Sequence, residues 1–168
     1  TPAKKLVASP LAVDPTPKDF KVLLVYPNYS MVNLLPTNIG ILTACLRQNG
    51  FIVDLFDTTY YRTSEKTSDE IRVEMLQVRK FDLSEMGVHF KSSNLIDDFK
   101  AKVAQFQPNL IGVTAVEDTW PQACALIESV REYPAPVIVG GVFASLTPAI
   151  PISHPDVDMI SFTGSTRA

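Results

Sequence analysis

Residues 21–50, KVLLVYPNYSMVNLLPTNIGILTACLRQNG, decide the fold. Val22-Leu23-Leu24-Val25-Tyr26 is a continuous apolar run rich in β-branched residues, the pattern of a strand buried on both faces of a parallel sheet. Pro27, Asn28, Ser30, Asn33 and Pro36 follow as a loop, since proline and asparagine favour turns over strand ladders. From Thr37 the period becomes helical, with Ile41 and Cys45, and more loosely Leu42 and Leu46, on one face. Gly50 closes that helix after Gln48-Asn49. Strand, long loop and helix make the first unit of a doubly wound sheet. In that architecture a ligand sits outside the carboxyl ends of the strands, so the Pro27–Pro36 loop belongs to its rim.

Working outward, residues 1–19 carry Pro2, Pro10, Pro15 and Pro17 with little periodicity and read as an extended segment or linker. Residues 51–57, FIVDLFD, give a second strand parallel to the first, returned by one helix. Residues 58–91 break the rhythm as an insertion, with a short helix expected near Ser68–Lys80. Thr67 and Glu70 have capping-box spacing there, and Ile71, Met75 and Val78 line one side. Such an insertion is either a functional lid or a solvated decoration. A further helix is expected over Ser92–Gln107, on Ile96, Phe99, Val103 and Phe106, and Pro108 ends it. Asn109–Ala115 is the third strand, and a helix is expected over Thr119–Tyr133, capped by Asp118 or Thr119. Pro136–Val139 is the fourth strand and Val157–Ser161 the fifth, with a short helix around Pro148. The expectation is an α/β fold: a doubly wound, flavodoxin-like parallel sheet of about five strands, order 2-1-3-4-5, with helices on both faces.

At 168 residues, the chain suits one domain over residues 20–168. The 46% apolar and 20% charged composition is that of a globular protein. A net charge of −3 gives no electrostatic reason to expect nucleic acid, and no apolar run is long enough to predict a membrane span. Cys45 and Cys124 both lie in apolar helical patterns, so a disulfide framework is not expected and a cytoplasmic location is. The opening TPAKK and the closing Ser165-Thr166-Arg167-Ala168 lead us to expect a piece of a longer protein.

The chemistry is sought at the carboxyl ends of the strands. Pro27 and Asn28 follow strand 1; Thr114, Val116, Glu117 and Asp118 follow strand 3; Gly140, Gly141, Val142 and Phe143 follow strand 4. These rims carry no histidine, cysteine or lysine, so no catalytic residue is assigned. Gly112, Thr114, Gly140 and Gly141 leave little side-chain volume between strands 3 and 4. That slot could admit a flat or elongated ligand, although glycine after a strand also simply makes turns. His89 lies in the insertion without a partner, and His154 reads as structural. Trp120 is either a platform at the ligand edge or core packing.

These pieces together resemble the cobalamin-binding domain at the amino terminus of many B12-dependent radical S-adenosylmethionine (SAM) enzymes. The resemblance runs from about Phe20 to Met159 and rests on KVLLVYPNYS, LPTNIGILTACLRQNGF, LIGVTAVED and PAPVIVGGVFASLTP followed by HPDVD. The family's first helix reads proline, apolar, glycine and then an apolar run to glycine, matched by Pro36, Ile39, Gly40 and Gly50, beside which Asn38 joins the candidate set. Thr114-Ala115-Val116 stands for the Ser-x-Leu of cobalamin domains, and Gly140-Gly141 for their Gly-Gly. The resemblance implies a corrin on the carboxyl edge and a nucleotide tail in the slot beside Thr114 and Gly140-Gly141.

Two departures stand out. Asn28-Tyr29-Ser30-Met31-Val32-Asn33 replaces the Asp-x-His-x-x-Gly that ligates cobalt in the methionine synthase and mutase branches, so no metal ligand is assigned. Phe162-Thr163-Gly164-Ser165-Thr166 replaces the usual Gly-Glu-Gly-Glu and looks more like a nicotinamide-cofactor segment of aldehyde dehydrogenases. Two cysteines cannot form Cys-x-x-x-Cys-x-x-Cys, so a [4Fe–4S] cluster and S-adenosylmethionine are expected only in a catalytic domain carboxyl-terminal to this chain. The alternatives are a signalling receiver, a nucleotide- or flavin-binding module, and a structural remnant. A receiver needs acids after strand 1, and a flavodoxin needs a hydroxyl- and glycine-rich phosphate loop there. Tyr26-Pro27-Asn28 and Ser30 supply neither.

Overall fold

The computed structural model describes residues 19–29, 36–63, 66, 68–80, 82–141 and 154–160. β1 (Lys21–Tyr26) leads to α1 (Thr37–Gln48), β2 (Ile52–Asp57), α2 (Ser68–Glu74), α3 (Leu95–Phe106), β3 (Leu110–Thr114), α4 (Trp120–Ser129) and β4 (Val137–Gly140). β1 pairs in parallel with β2 on one side and β3 on the other, and β3 pairs in parallel with β4. Met159–Ile160 runs parallel beside β4, with Met159 opposite Ile138. The expected helix around Pro148 and residues 1–18 of the expected linker fall outside the described residues.

The apolar run of β1 does what a two-sided strand must. Leu23 and Val25 enter a core with Phe56, Phe99, Val103, Ile111, Val113, Ala123, Leu126, Ile127 and Val139, while Val22 and Leu24 enter a second one with Ile39 and Val53. The first core lies under α3 and α4, where the Phe56 and Phe99 rings meet at 4.9 Å. Its helices begin and end for local reasons. The Asn94 carboxamide oxygen accepts from the backbone N–H groups of Ile96 (2.9 Å) and Asp97 (3.2 Å), so α3 starts at Leu95 rather than Ser92. Gln107 takes φ 52° ahead of Pro108 and ends it.

Three local expectations need correction. Neither Asp118 nor Thr119 caps α4 through its side chain. A tight turn, Glu117–Thr119, precedes that helix, and the buried Thr119 hydroxyl instead accepts from the Val116 N–H at 3.1 Å. The insertion helix stops at Glu74 rather than Lys80, and Ile71, Met75 and Val78 are exposed. Leu76, with φ 57°, turns the chain there. In α1 the residue that reaches the core is Ile39, with Leu46 partly buried, whereas Ile41 is 65% and Leu42 47% exposed. The predicted stripe exists as spacing, but the sheet is approached by the neighbouring flank.

The insertion is closed at its base. Tyr61 and Lys91 form a parallel bridge, the Lys91 N–H donates to the Tyr60 carbonyl at 2.8 Å, and the buried Tyr61 hydroxyl donates to Asp98 on α3 at 2.7 Å. Burial first, and then the bond and charge of Asp98, push the Tyr61 phenol well above its ordinary range.

Candidate functional site at the carboxyl edge of the sheet

The carboxyl edge has two unlike halves. At the ends of β1 and β2, polar groups satisfy one another. Asn28 is fully buried; its N–H donates to Thr58 Oγ1 at 2.6 Å and its Nδ2 to Thr59 Oγ1 at 2.9 Å. The Thr58 hydroxyl lies 2.8 Å from the Asn28 carbonyl oxygen and 3.2 Å from Gln122 Oε1 on α4. Asp57 Oδ1 accepts from the Thr59 N–H at 2.8 Å and from its hydroxyl at 2.6 Å. Pro27 is buried too. This half is a sewn seam. Gln122 Nε2, buried beside it, has no hydrogen-bond partner among the described residues.

The β3–β4 half is different, and the reason is the alternation of side chains along a strand. Ile111, Val113, Val137 and Val139 point under α3 and α4 and are all buried, Val139 completely. Gly112 and Thr114, with Ile138 and Gly140 paired opposite them, face the α1 side and are only half-buried. Among the described residues α1 is the one helix packed on that side. Its orientation follows from two contacts. Arg47 reaches the Val53 carbonyl on β2 at 3.2 Å, and Asn38 Nδ2 donates to Thr114 Oγ1 on β3 at 3.0 Å. Asn38, Leu42 and Cys45 share a helical flank, so they border the strip over β3 and β4 that no other described helix covers. Gly40 and Arg47, seven apart, share the flank toward β2.

The surface so bounded, the candidate slot, is floored by Gly112, Thr114, Ile138 and Gly140 and bordered by exposed Leu42 and Cys45 of α1, with the Asn38–Thr114 hydrogen bond at its carboxyl end. The glycines are constrained in different ways. A Cβ on Gly112 would meet Leu24 Cδ2 at 3.2 Å. Gly141 has φ 106°, and a Cβ there would fall 2.6 Å from the Ala115 carbonyl oxygen.

Of the residues singled out from sequence, Gly112, Thr114, Gly140, Gly141 and Asn38 come together at the slot, Asn38 from 76 positions away. Val116, 39% exposed, and the exposed Glu117 and Asp118 form the turn beyond β3. Pro27 and Asn28 are buried in the seam, and Gly40 lies on the far flank of α1 with nothing within 4 Å of its Cβ position. Val142 and Phe143 lie outside the described residues. Trp120 is half-buried and meets the His154 ring edge-on at 6.0 Å. Ile138 and Leu42 escaped the sequence reading, although Ile138 is the residue opposite Gly112 and Leu42 is one helical turn beyond Asn38. Thr58 and Gln122 carried no recognisable signal.

A second concavity, about 950 Å³, lies within the insertion, lined among others by Arg62, Glu70, Glu74, Asp82, His89 and Phe90. Two of its carboxylates are ion-paired, Glu70 with Arg62 at 3.3 Å and Glu74 with Lys66 at 2.7 Å. Among the described residues no group of three or more histidines, cysteines or carboxylates is arranged to hold a metal ion, and no helix is long and apolar enough to cross a membrane.

No protein-family model and no curated protein matches the chain. Solved structures do. One is the radical S-adenosylmethionine methyltransferase TsrM from Kitasatospora setae with tryptophan substrate and a SAM analogue bound, at 22% identity and TM-score 0.54 over 76% of this chain and 20% of that one. Another is TsrM from the same organism with cobalamin and a [4Fe–4S] cluster bound, at 23% identity and TM-score 0.53 over 76% of this chain and 19% of that one. This chain therefore spans about one fifth of the length of those enzymes and shares the fold of that portion.

Proposed function

We propose that this chain is the cobalamin-binding module of a larger B12-dependent radical SAM enzyme. The corrin lies on the carboxyl edge of the sheet and the nucleotide tail enters the slot between β3 and β4. The carrying observation is the one-sided exposure of those strands: Ile111, Val113, Val137 and Val139 are buried while Gly112, Thr114, Ile138 and Gly140 remain half-open beside exposed Leu42. The fold shared with part of TsrM, a protein solved with cobalamin bound, supports the same reading. We also take the sheet to be completed to five strands in the order 2-1-3-4-5, with Met159–Ile160 as the visible part of the last.

In this reading Gly112 and Gly140 admit the tail by their lack of side chains, Leu42 and Ile138 hold it by apolar contact, and Thr114 addresses its polar edge. Gly141, at φ 106° directly after β4, keeps the chain close to Ala115 at the slot mouth, and Val116, Glu117 and Asp118 border the corrin. When bound, cobalamin supplies a cobalt centre able to accept and deliver a methyl group or to take part in redox steps. The cluster and S-adenosylmethionine belong to a partner catalytic domain, because two cysteines in the whole sequence are too few for a cluster held by protein thiolates.

The test is to fill the slot. Gly140→Val places a branched side chain on its floor and should abolish retention of hydroxocobalamin by the purified chain. Arg62→Ala, in the insertion, should leave retention unchanged. Equal retention by both variants with intact circular dichroism refutes the placement.

A further inference from the structure

β2 pairs with β1 on one side, and among the described residues no strand pairs with its other side. Such an edge is a template for any extended chain. The Ile52 N–H donates to the Phe20 carbonyl at 3.0 Å and the Thr58 N–H to the Tyr26 carbonyl at 3.2 Å, so residues 52, 54, 56 and 58 turn their backbone groups toward β1. Val53, Leu55 and Asp57 therefore turn theirs outward. A strand laid parallel beside Asp54 would donate to the Val53 carbonyl and accept from the Leu55 N–H, and an antiparallel one would meet the same two groups. Both are already taken. Arg47 Nη2, from α1, donates to the Val53 carbonyl at 3.2 Å, and Asp54 Oδ1 accepts from the Leu55 N–H at 2.8 Å. Neither bond has a choice of direction, because a guanidinium only donates and a carboxylate only accepts. We propose that Arg47 and Asp54 stand in for a neighbouring strand and keep the β2 edge closed to a second copy of this chain.

The pair is held from both faces of the sheet. Arg47 reaches the edge from the α1 side, while Lys102 on α3 binds the other oxygen of Asp54 from the opposite side. The strand needs such cover. Four of the six residues of β2, IVDLFD, are apolar, and Ile52 is 42% exposed. Short β-prone segments of low charge associate edge to edge, and a charge placed on the edge prevents it. A second copy is the fitting occupant because two identical edges match in length and pattern around a two-fold axis. Nothing in this arrangement touches the β3–β4 slot, so its test is independent of the cofactor.

The purified chain and its variants are compared by analytical ultracentrifugation, with circular dichroism as the check on folding. The unaltered chain should stay monomeric to about 1 mM, whereas the double variant Arg47→Ala with Asp54→Ala should associate with a dissociation constant of about 100 µM or below, at least a tenfold change. Asp54→Asn, whose carboxamide oxygen still accepts from the Leu55 N–H, should remain monomeric. Leu126→Ala, which opens a cavity in the core under α4 and leaves the edge intact, should not associate either. Amide exchange locates the contact: the Leu55 N–H should exchange faster in the dilute double variant than in the unaltered chain, and slow again as the dimer forms. If the double variant does not fold, Arg47→Ala alone frees the Val53 carbonyl and is read in the same way at weaker affinity. A folded variant that stays monomeric, equal association of the unaltered chain or of Leu126→Ala, or a Leu55 amide indifferent to association overturns the proposal.

Discussion

Replacing Gly141 by alanine adds one carbon where the fold has no room for it. At φ 106° the new Cβ falls 2.6 Å from the Ala115 carbonyl oxygen, 3.1 Å from the Ala115 nitrogen and 3.1 Å from Thr114 Oγ1. Two of those atoms are backbone, held in the β3–β4 ladder by the Ala115 N–H bond to the Gly140 carbonyl at 2.9 Å, so neither swings away as a side chain does. Left-handed backbone in a non-glycine residue costs about 1–2 kcal/mol. Overpacking against a fixed wall adds about 1–3 kcal/mol. Gly141→Ala should therefore destabilise by about 2–5 kcal/mol, lowering the melting temperature by roughly 5–15 °C for a domain of this size. Gly40→Ala is the matched control. Its Cβ position is empty to 4 Å in mid-helix, and alanine there should stabilise by about 0.5–1 kcal/mol. Urea unfolding followed by circular dichroism measures both. A Gly141→Ala variant within 0.5 kcal/mol of its parent, or a Gly40→Ala variant less stable than Gly141→Ala, refutes the reasoning.

Other outcomes follow from the same geometry. Phe99→Ala removes a ring that is 1% exposed and packed on Phe56, and should cost about 3–5 kcal/mol in equilibrium unfolding. Asn28→Ala strips the seam between the ends of β1 and β2 and should cost about 1–3 kcal/mol, whereas slot binding, on the other half of the edge, should survive in the folded fraction. For Asp54, partial burial alone would raise the carboxyl pKa, but the bond and charge of Lys102 on α3, together with the Leu55 N–H, bring it below its ordinary range. The stabilisation is thus present above the unfolded carboxyl range and lost as pH falls through the depressed value. Asp54→Asn should flatten that acid limb of the stability profile. For Tyr61 the shift is upward, so its contribution holds below the ordinary phenol range and fades as pH rises beyond it; Tyr61→Phe should remove that alkaline loss.

The sequence made the sheet legible because β1, β3 and β4 are short apolar runs bounded by turn residues, and such runs have few other uses. It misjudged α1 because Ile39, Ile41, Leu42, Cys45 and Leu46 cover so much of the helix that spacing cannot say which flank meets the sheet. The bonds from Arg47 to β2 and from Asn38 to β3 settle that, and both are tertiary contacts. It placed Asn28 on an open rim because asparagine after a strand ordinarily reads as a turn residue. Thr58 and Thr59, which bury it, lie on a different strand end 30 and 31 positions away. The glycines were visible as volume left out, but their partners were not. Ile138 becomes a floor residue only through its register with Gly112, and register between strands is not written in either strand alone.

The most direct test of the central claim is retention of the cofactor itself. The purified chain is incubated with hydroxocobalamin, desalted, and its visible spectrum recorded. Near-stoichiometric cobalamin in the base-off form, with the nucleotide tail detached from cobalt and therefore available to the β3–β4 slot, is the predicted result. A chain that emerges colourless at micromolar concentration while remaining folded contradicts it.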